Sequence, residues 1–506
     1  MILRRQSKVA GCGNYWVFVT TGTRVEECEA LSGVKDWDAR ARASLSSAVG
    51  PEKKLKEVTS ISLNNGHRIL FLPLELTKKR ALWFDELRKA VTQAFIACGG
   101  EGLLGQEGLS IRIDSLDRDQ QKALWAALAF LSSTWSWKPT KFSKEKTPAA
   151  GEAIPLLLFS ALREELLLEV EIRFAALGRA NNRVRTWSML PYNHLGPKQF
   201  REALRVLARD HALGFEFMGR TELTRLKAGG FLAVMAANPQ CEGGIVKLSY
   251  RPRVGKGSAR SPRGKPIALV GKGLCYDTGG YNLKPGASML GMHGDMTGAA
   301  VVASYLAFLS EVKSPLAVDV YCAIAENLIS ESAYTPNQVV QTLDGTTIEV
   351  VDTDAEGRMA LSDTLAWVRR QKPRLVIDYA TLTGASIRAL GKKRSAVFSN
   401  RPELARLAVD AGEKSGESTW SFPIGEEYRP DLESKVADLL QCADSHFSDH
   451  IYAATFLSHF VGDETPWVHV DLSAQECAGG LGLIRSDVSG FGILWTDQFF
   501  ELFEAI

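Results

Sequence analysis

Thr347-Ile348-Glu349-Val350-Val351 leads into Asp352-Thr353-Asp354-Ala355-Glu356-Gly357-Arg358, and Met359-Ala360-Leu361 follows. Apolar, core-forming sequence flanks a charged segment in which Asp354, Glu356 and Arg358 alternate with small residues. Acidic groups held between two core segments cannot all escape to water, and buried charges need partners or a metal. The competing reading is a polar turn joining a strand to a helix, with Glu356 supporting the helix N-terminus. On either reading a strand, a loop and a helix follow one another, and this alternation sets the fold class.

The alternation extends outward. Buried-strand candidates are 244–250, 266–270, 316–324, 375–379 and 467–472, and candidate helices are 298–312, 359–371 and 451–461. Strands alternating with helices imply a mainly parallel sheet covered on both faces. In such sheets ligands lie beyond the carboxyl ends of the strands. The first 160 residues also alternate, with strands expected at 15–19, 68–72, 110–113 and 155–159 and helices at 82–98 and 120–131. They hold no catalytic constellation. The stretch 137–151, rich in Lys, Pro, Thr and Ser, reads as an exposed loop. The expected architecture is α/β with two domains. A smaller N-terminal domain spans 1–160, a linker helix and connection span 161–188, and a larger catalytic domain with a mixed, mostly parallel sheet spans 189–506.

With 506 residues, 45% of them hydrophobic, the chain can build more than one core. Its 60 basic and 58 acidic residues leave a net charge of +2, which argues against a dedicated nucleic-acid binder. No apolar run reaches the roughly 18 residues that span a bilayer. Met1–Gln6 has basic residues with no apolar run behind them, unlike a signal peptide. The eight cysteines form no CxxC pair and read as reduced thiols, so a cytoplasmic protein without a membrane partner is expected. The cluster Arg251, Arg253, Lys256, Arg260, Arg263 and Lys265 reads as a solvated hairpin tip, with an anionic partner as the alternative.

Charged residues collect where the sheet rule places a site. The strand 266–270 runs into Gly271-Lys272-Gly273, then Asp277, Lys284 and Asp295, the last opening a helix. Asp344-Gly345 signals a hairpin turn ahead of the strand at 348–351. Asp277, Asp295, Asp354 and Glu356 in one pocket would repel strongly and raise one another's pKa values. Two divalent cations remove that repulsion and, sharing a carboxylate, lower the pKa of a bridging water. Oxygen-rich ligands suit Mg, Mn or Zn. A lysine beside two cations loses its proton more easily, so Lys272 or Lys284 can serve as a ligand, or polarise a carbonyl. Arg358 keeps its charge and can hold an anion.

These residues resemble the leucyl aminopeptidase family, the dinuclear-metal cytosolic aminopeptidases. The likeness rests on Asp352–Arg358, on Gly271-Lys272-Gly273, Asp277-Thr278-Gly279-Gly280, Lys284 and Asp295-Met296, on Glu326-Asn327 and Pro336, and on Asp378 to Ala385. It covers about 190–500. The resemblance implies that Asp277 and Glu356 serve both metals, Asp354 completes one site, and Lys272 and Asp295 complete the other. It implies that Lys284 polarises the scissile carbonyl and that Arg358 holds bicarbonate as general base on the bridging water. Met292, Thr381, Leu382 and Gly384 would border the substrate. The implied activity is release of N-terminal residues from peptides with a free N-terminus, by a water activated between two divalent ions. Zn or Mn is expected, with Mg or Co as alternatives, in a homo-hexamer.

Some positions depart from the family. Asp352 stands for asparagine, Gln338 for a common aspartate and His293 for a common arginine. The stretch 479–492 is closer to a divergent subgroup. His446, His450, His459 and His469 read as structural. A DNA-binding role for the basic loop and a phosphoester-cleaving two-metal site are the competing functions, and the lysine at a ligand position weighs against the second.

Overall fold

The computed structural model describes residues 2–5, 15–20, 59–62, 68–73, 80–97, 109–112, 117–142, 155–159, 164–252, 265–443 and 447–505. Two compact units emerge. One comprises Met1–Arg179 with Gly479–Ser486, the other Ala180–Ala478 with Asp487–Ile506.

The first unit contains strands β1 (Ile2–Arg5), β2 (Tyr15–Thr20), β3 (Thr59–Ser62), β4 (Arg68–Pro73), β5 (Leu109–Arg112) and β6 (Pro155–Phe159). Their order is β1-β6-β5-β2-β4-β3. Every neighbouring pair is parallel except β3 and β4. The helix Arg118–Trp135 starts at a capping box: Asp117 accepts from the Gln120 N–H, and the Gln120 side chain accepts from the Asp117 N–H. Leu124, Leu128 and Leu131, on one face of this helix, are fully buried.

The second unit contains β7 (Gly214–Met218), β8 (Gly244–Tyr250), β9 (Ile267–Asp277), β10 (Val318–Asn327), β11 (Val339–Gln341), β12 (Thr347–Glu349), β13 (Val376–Ala380), β14 (Ser395–Ser399), β15 (Thr419–Ser421), β16 (Leu439–Leu440) and β17 (Trp467–Asp471). Among the described residues an eight-stranded sheet runs β15-β14-β17-β13-β9-β10-β8-β7. Its central strands β17, β13, β9 and β10 are mutually parallel, and β8 and β7 continue antiparallel on one side. This is the expected α/β class with a mixed, mostly parallel sheet. The helix Thr297–Glu311 is buried along nearly its whole length, as an apolar, Ala-rich segment lying on a sheet should be.

Two local expectations are corrected. The strand expected at 348–351 is β12, which ends at Glu349 and lies outside the large sheet. The turn at Asp344-Gly345 folds β12 back on β11, and β12 also pairs with β16, giving a separate three-stranded sheet. Nor does the strand stop at Val270. It continues through Lys272 to Asp277. The glycines inside it serve close packing: a Cβ on Gly271 would lie 2.5 Å from Ala299 Cα, so only glycine lets the helix Thr297–Glu311 approach β9 this closely.

Candidate metal centre

Parallel pairing brings the carboxyl ends of β9, β10 and β13 together. Lys272 is the middle residue of β9 and Asp277 ends it, opposite Asn327 at the end of β10. Thr381 and Leu382 follow the end of β13. Asp295 directly follows the short 3-10 turn Met292–Gly294, just ahead of the helix Thr297–Glu311. Glu356 and Arg358 occupy the first turn of the helix Glu356–Arg370, so the charged stretch is a loop only as far as Ala355.

The structure brings six of the anticipated residues into one cluster. Lys272 Nζ lies 2.9 Å from Asp295 Oδ2 and 2.9 Å from Glu356 Oε1, and donates to the Thr381 carbonyl at 3.1 Å. Lys284 Nζ lies 2.9 Å from Asp277 Oδ2 and 2.5 Å from Asp354 Oδ1. Asp277, Asp354 and Glu356 each offer an oxygen within 4.8 Å of the others. Thr381 Oγ1 donates to Asp295 Oδ1 at 2.6 Å. Gly357 lets the helix start lie close to the cluster: a Cβ there would lie 2.7 Å from Lys272 Nζ and 2.9 Å from Leu382 Cδ1, and those side-chain ends would have to shift.

Four carboxylates face two ammonium groups, so the cluster carries surplus negative charge. Burial pushes Asp354 up to about 8; repulsion from Glu356 and Asp277 adds to this, and Lys284 opposes it. Asp295 rises to about 7, through burial first, against the pull of Lys272. Burial and then Asp277 raise Glu356 as well. Burial alone would lower both lysines, yet their carboxylate neighbours outweigh it and hold each above the ordinary lysine value. Glu356 Oε2 is buried without a hydrogen-bond partner. An orphaned carboxylate oxygen among crowded carboxylates suits divalent cations, which supply the missing positive charge.

Further residues position this cluster, and of these Asn282 and Tyr334 carried no signal in the sequence. Asn327 Nδ2 donates to Asp277 Oδ1 at 2.9 Å and to the Thr353 carbonyl at 3.0 Å, and the Tyr334 hydroxyl donates to that carbonyl at 2.8 Å. Thr353 Oγ1 donates to the Gly279 carbonyl at 2.6 Å and accepts from the Asn282 N–H at 2.8 Å. Asp352 accepts the Asp354 N–H at 2.8 Å. Arg358 does not join the cluster of six. Its Nη2 donates to Asp449 Oδ1 at 2.7 Å and Oδ2 at 2.9 Å. Leu382 and Met292 are half-buried and Gly384 is exposed. Leu382 N–H donates to Asp471 at 3.0 Å.

Among the histidines, His469 is buried against Asp378, with Nδ1 2.6 Å from Oδ1. His450 packs edge-on to Phe422, and His459 Nε2 lies 3.2 Å from Thr346 Oγ1. His446 lies outside the described residues, as do Arg253, Lys256, Arg260 and Arg263 of the basic run and most of the 137–151 loop. Cys241, Cys275, Cys322, Cys442 and Cys477 are free and buried.

The strand-end location, the carboxylate cluster and the interleaved lysines define a candidate metal centre in a protein of the α/β class. The catalytic-domain profile of the cytosol aminopeptidase family matches residues 182–494. A probable cytosol aminopeptidase of Parasynechococcus marenigrum is 34% identical over 435 residues, 85% of each chain. One from Syntrophotalea carbinolica is 40% identical over 304 residues, 60% of this chain and 59% of that one. A mutant of tomato leucine aminopeptidase superposes with a TM-score of 0.82 at 24% identity, covering 98% of this chain and 95% of its own. The bottromycin maturation enzyme BotP in complex with Mn gives 0.76 at 26% identity, covering 97% and 99%. The chain belongs to the cytosol aminopeptidase family, peptidase family M17, and is a metal-dependent aminopeptidase.

Proposed function

We propose that Lys272, Asp277, Asp295, Asp354 and Glu356 hold two divalent ions, and that the site removes N-terminal residues from peptides with a free N-terminus. The observation that carries this reading is the buried, unpartnered Glu356 Oε2 in a cluster where four carboxylates meet only two ammonium groups. Zn and Mn fit this oxygen-rich set with one lysine, and Mg or Co are alternatives. When bound, such ions supply Lewis-acid activation of a water and of the scissile carbonyl.

The chain's own groups do the rest. Lys284, 14% exposed, stands nearer solvent than Lys272 at 3% and is the donor assigned to the scissile carbonyl oxygen. Thr381, Leu382 and Gly384 after β13, and Met292 in its 3-10 turn, border the substrate. Arg358 is the anion-holding residue. Its Nη2 is taken up by both oxygens of Asp449.

Catalysis is assigned to 189–506, with 1–160 as a separate domain joined through 161–188. Family membership also supports a homo-hexamer in the cytoplasm. No helix among the described residues is long and apolar enough to cross a membrane, and the reading involves no nucleic acid. Metal content by plasma mass spectrometry tests the site directly. Two ions per chain are expected in the wild type, with less in Glu356→Gln. Full occupancy in that variant would remove Glu356 from the ligand set.

A further inference from the structure

Arg358 stands two residues after Glu356, with a side chain only 2% exposed. A guanidinium buried this deeply keeps its charge and has to be met by an anion. That anion is part of the chain. Asp449 opens the helix Asp449–Val461, and both its oxygens accept from Arg358 Nη2. Arg358 Nη1 reaches the Gln441 carbonyl at 3.4 Å.

The surroundings tie this pair to the catalytic loop. The Gln441 side chain accepts the N–H groups of Val351 and Asp352 at 3.0 Å each, and donates to the Ala355 carbonyl at 3.0 Å. The residue that touches Arg358 therefore also clamps both ends of the Asp352–Ala355 loop that carries Asp354. The Asp449 side chain is 23% exposed, so the pair opens toward solvent rather than lying sealed in the core. A carboxylate and a bicarbonate present the same feature to a guanidinium, two oxygens sharing one negative charge.

We propose that Asp449 is the resident anion of this aminopeptidase centre, occupying the place on Arg358 that a small oxyanion would otherwise take. Asp449 acts through Arg358 and is a positioning residue. The chain carries its own counter-anion, and turnover does not depend on added bicarbonate. This inference rests on the aminopeptidase reading, and the test separates the two.

Manganese-loaded wild type, Asp449→Ala and Asp449→Asn are compared in carbon dioxide-free buffer, with and without sodium bicarbonate at constant ionic strength. Two readouts are taken: melting temperature and turnover of an aminoacyl reporter. Bicarbonate is expected to leave the wild-type melting temperature unchanged and to raise that of Asp449→Ala, where the vacated guanidinium binds it. Turnover of Asp449→Ala should fall at least about tenfold and recover several-fold with bicarbonate, in line with the loss of one charge-assisted contact. Asp449→Asn should not be rescued, because its carboxamide still fills the place. A wild type that binds bicarbonate, or gains activity from it as strongly as Asp449→Ala does, overturns the proposal. So does an Asp449→Ala protein that bicarbonate neither stabilises nor rescues. If Asp449→Ala does not fold, the wild-type and Asp449→Asn arms still decide. Wild type inactive on every reporter counts against the aminopeptidase reading alone, since the melting arm does not use activity.

Discussion

Lys272 and Lys284 are the same residue type among the same carboxylates, yet their settings separate them. Lys272 bonds to Asp295, Glu356 and the Thr381 carbonyl and is closed in, whereas Lys284 bonds to Asp277 and Asp354 at the more open side. Replacing Lys284 by Met is expected to lower kcat by about 10²–10³, the usual cost of losing one donor to a developing oxyanion, while metal content holds. Lys272→Met should lose metal as well, as plasma mass spectrometry of the purified protein would show. Asp352→Asn should retain activity, because an amide oxygen accepts the Asp354 N–H as the carboxylate does. A large fall in turnover would give the extra charge a role of its own. The six clustered side chains were legible in the sequence because each lies in a short Gly-rich or charged motif. Asp449 was not, because it meets Arg358 across 91 residues and no local pattern marks it.

At the scale of elements, the helix-and-strand pattern was readable and the ends of elements were less so. β9 outran its expected end because its glycines serve packing against the helix Thr297–Glu311, which looks the same in sequence as a stop. The short β12 pattern could not reveal which sheet it joins, since a hairpin turn makes its partner local. The strand ends also set the pH behaviour. With Asp295 at about 7 and Asp354 at about 8, both above the ordinary aspartate value of 3.8, the metal-free folded chain binds more protons than the unfolded chain between those limits. Its stability therefore falls as pH rises through that window. Divalent ions reverse the penalty once the carboxylates ionise. The gain in melting temperature from MnCl2 should accordingly be larger at about pH 9 than at about pH 6; an equal gain at both would contradict the assigned ligands. In the sheet itself, Asp378 holds His469 through one oxygen and accepts the Trp467 indole N–H through the other at 2.6 Å. His469→Leu leaves one oxygen of a fully buried carboxylate without its partner and should cost about 3–5 kcal/mol in denaturant unfolding.

At the scale of the whole molecule, one part of the two-unit division was not legible in the sequence. Gly479–Ser486 belongs to the unit that begins at Met1, more than three hundred residues earlier in the chain. Within that unit Arg88 donates to the Gly482 and Gly479 carbonyls at 2.9 and 2.8 Å, and Arg485 lies over the Trp135 ring. The sequence marks this stretch as unusual for the family without saying what it packs against. Light scattering should give about six times the 55.4 kDa chain mass if the family's hexamer holds here.

The most direct test of the central claim is hydrolysis by the metal-stripped and metal-reloaded chain across a panel of aminoacyl reporters, each with free and N-acetylated termini. The structure predicts cleavage of free-terminus substrates that stops with chelator, returns with Mn or Zn and is absent when the amine is blocked. Failure of the reloaded chain to cleave any free-terminus substrate, or equal cleavage of the acetylated ones, would contradict it.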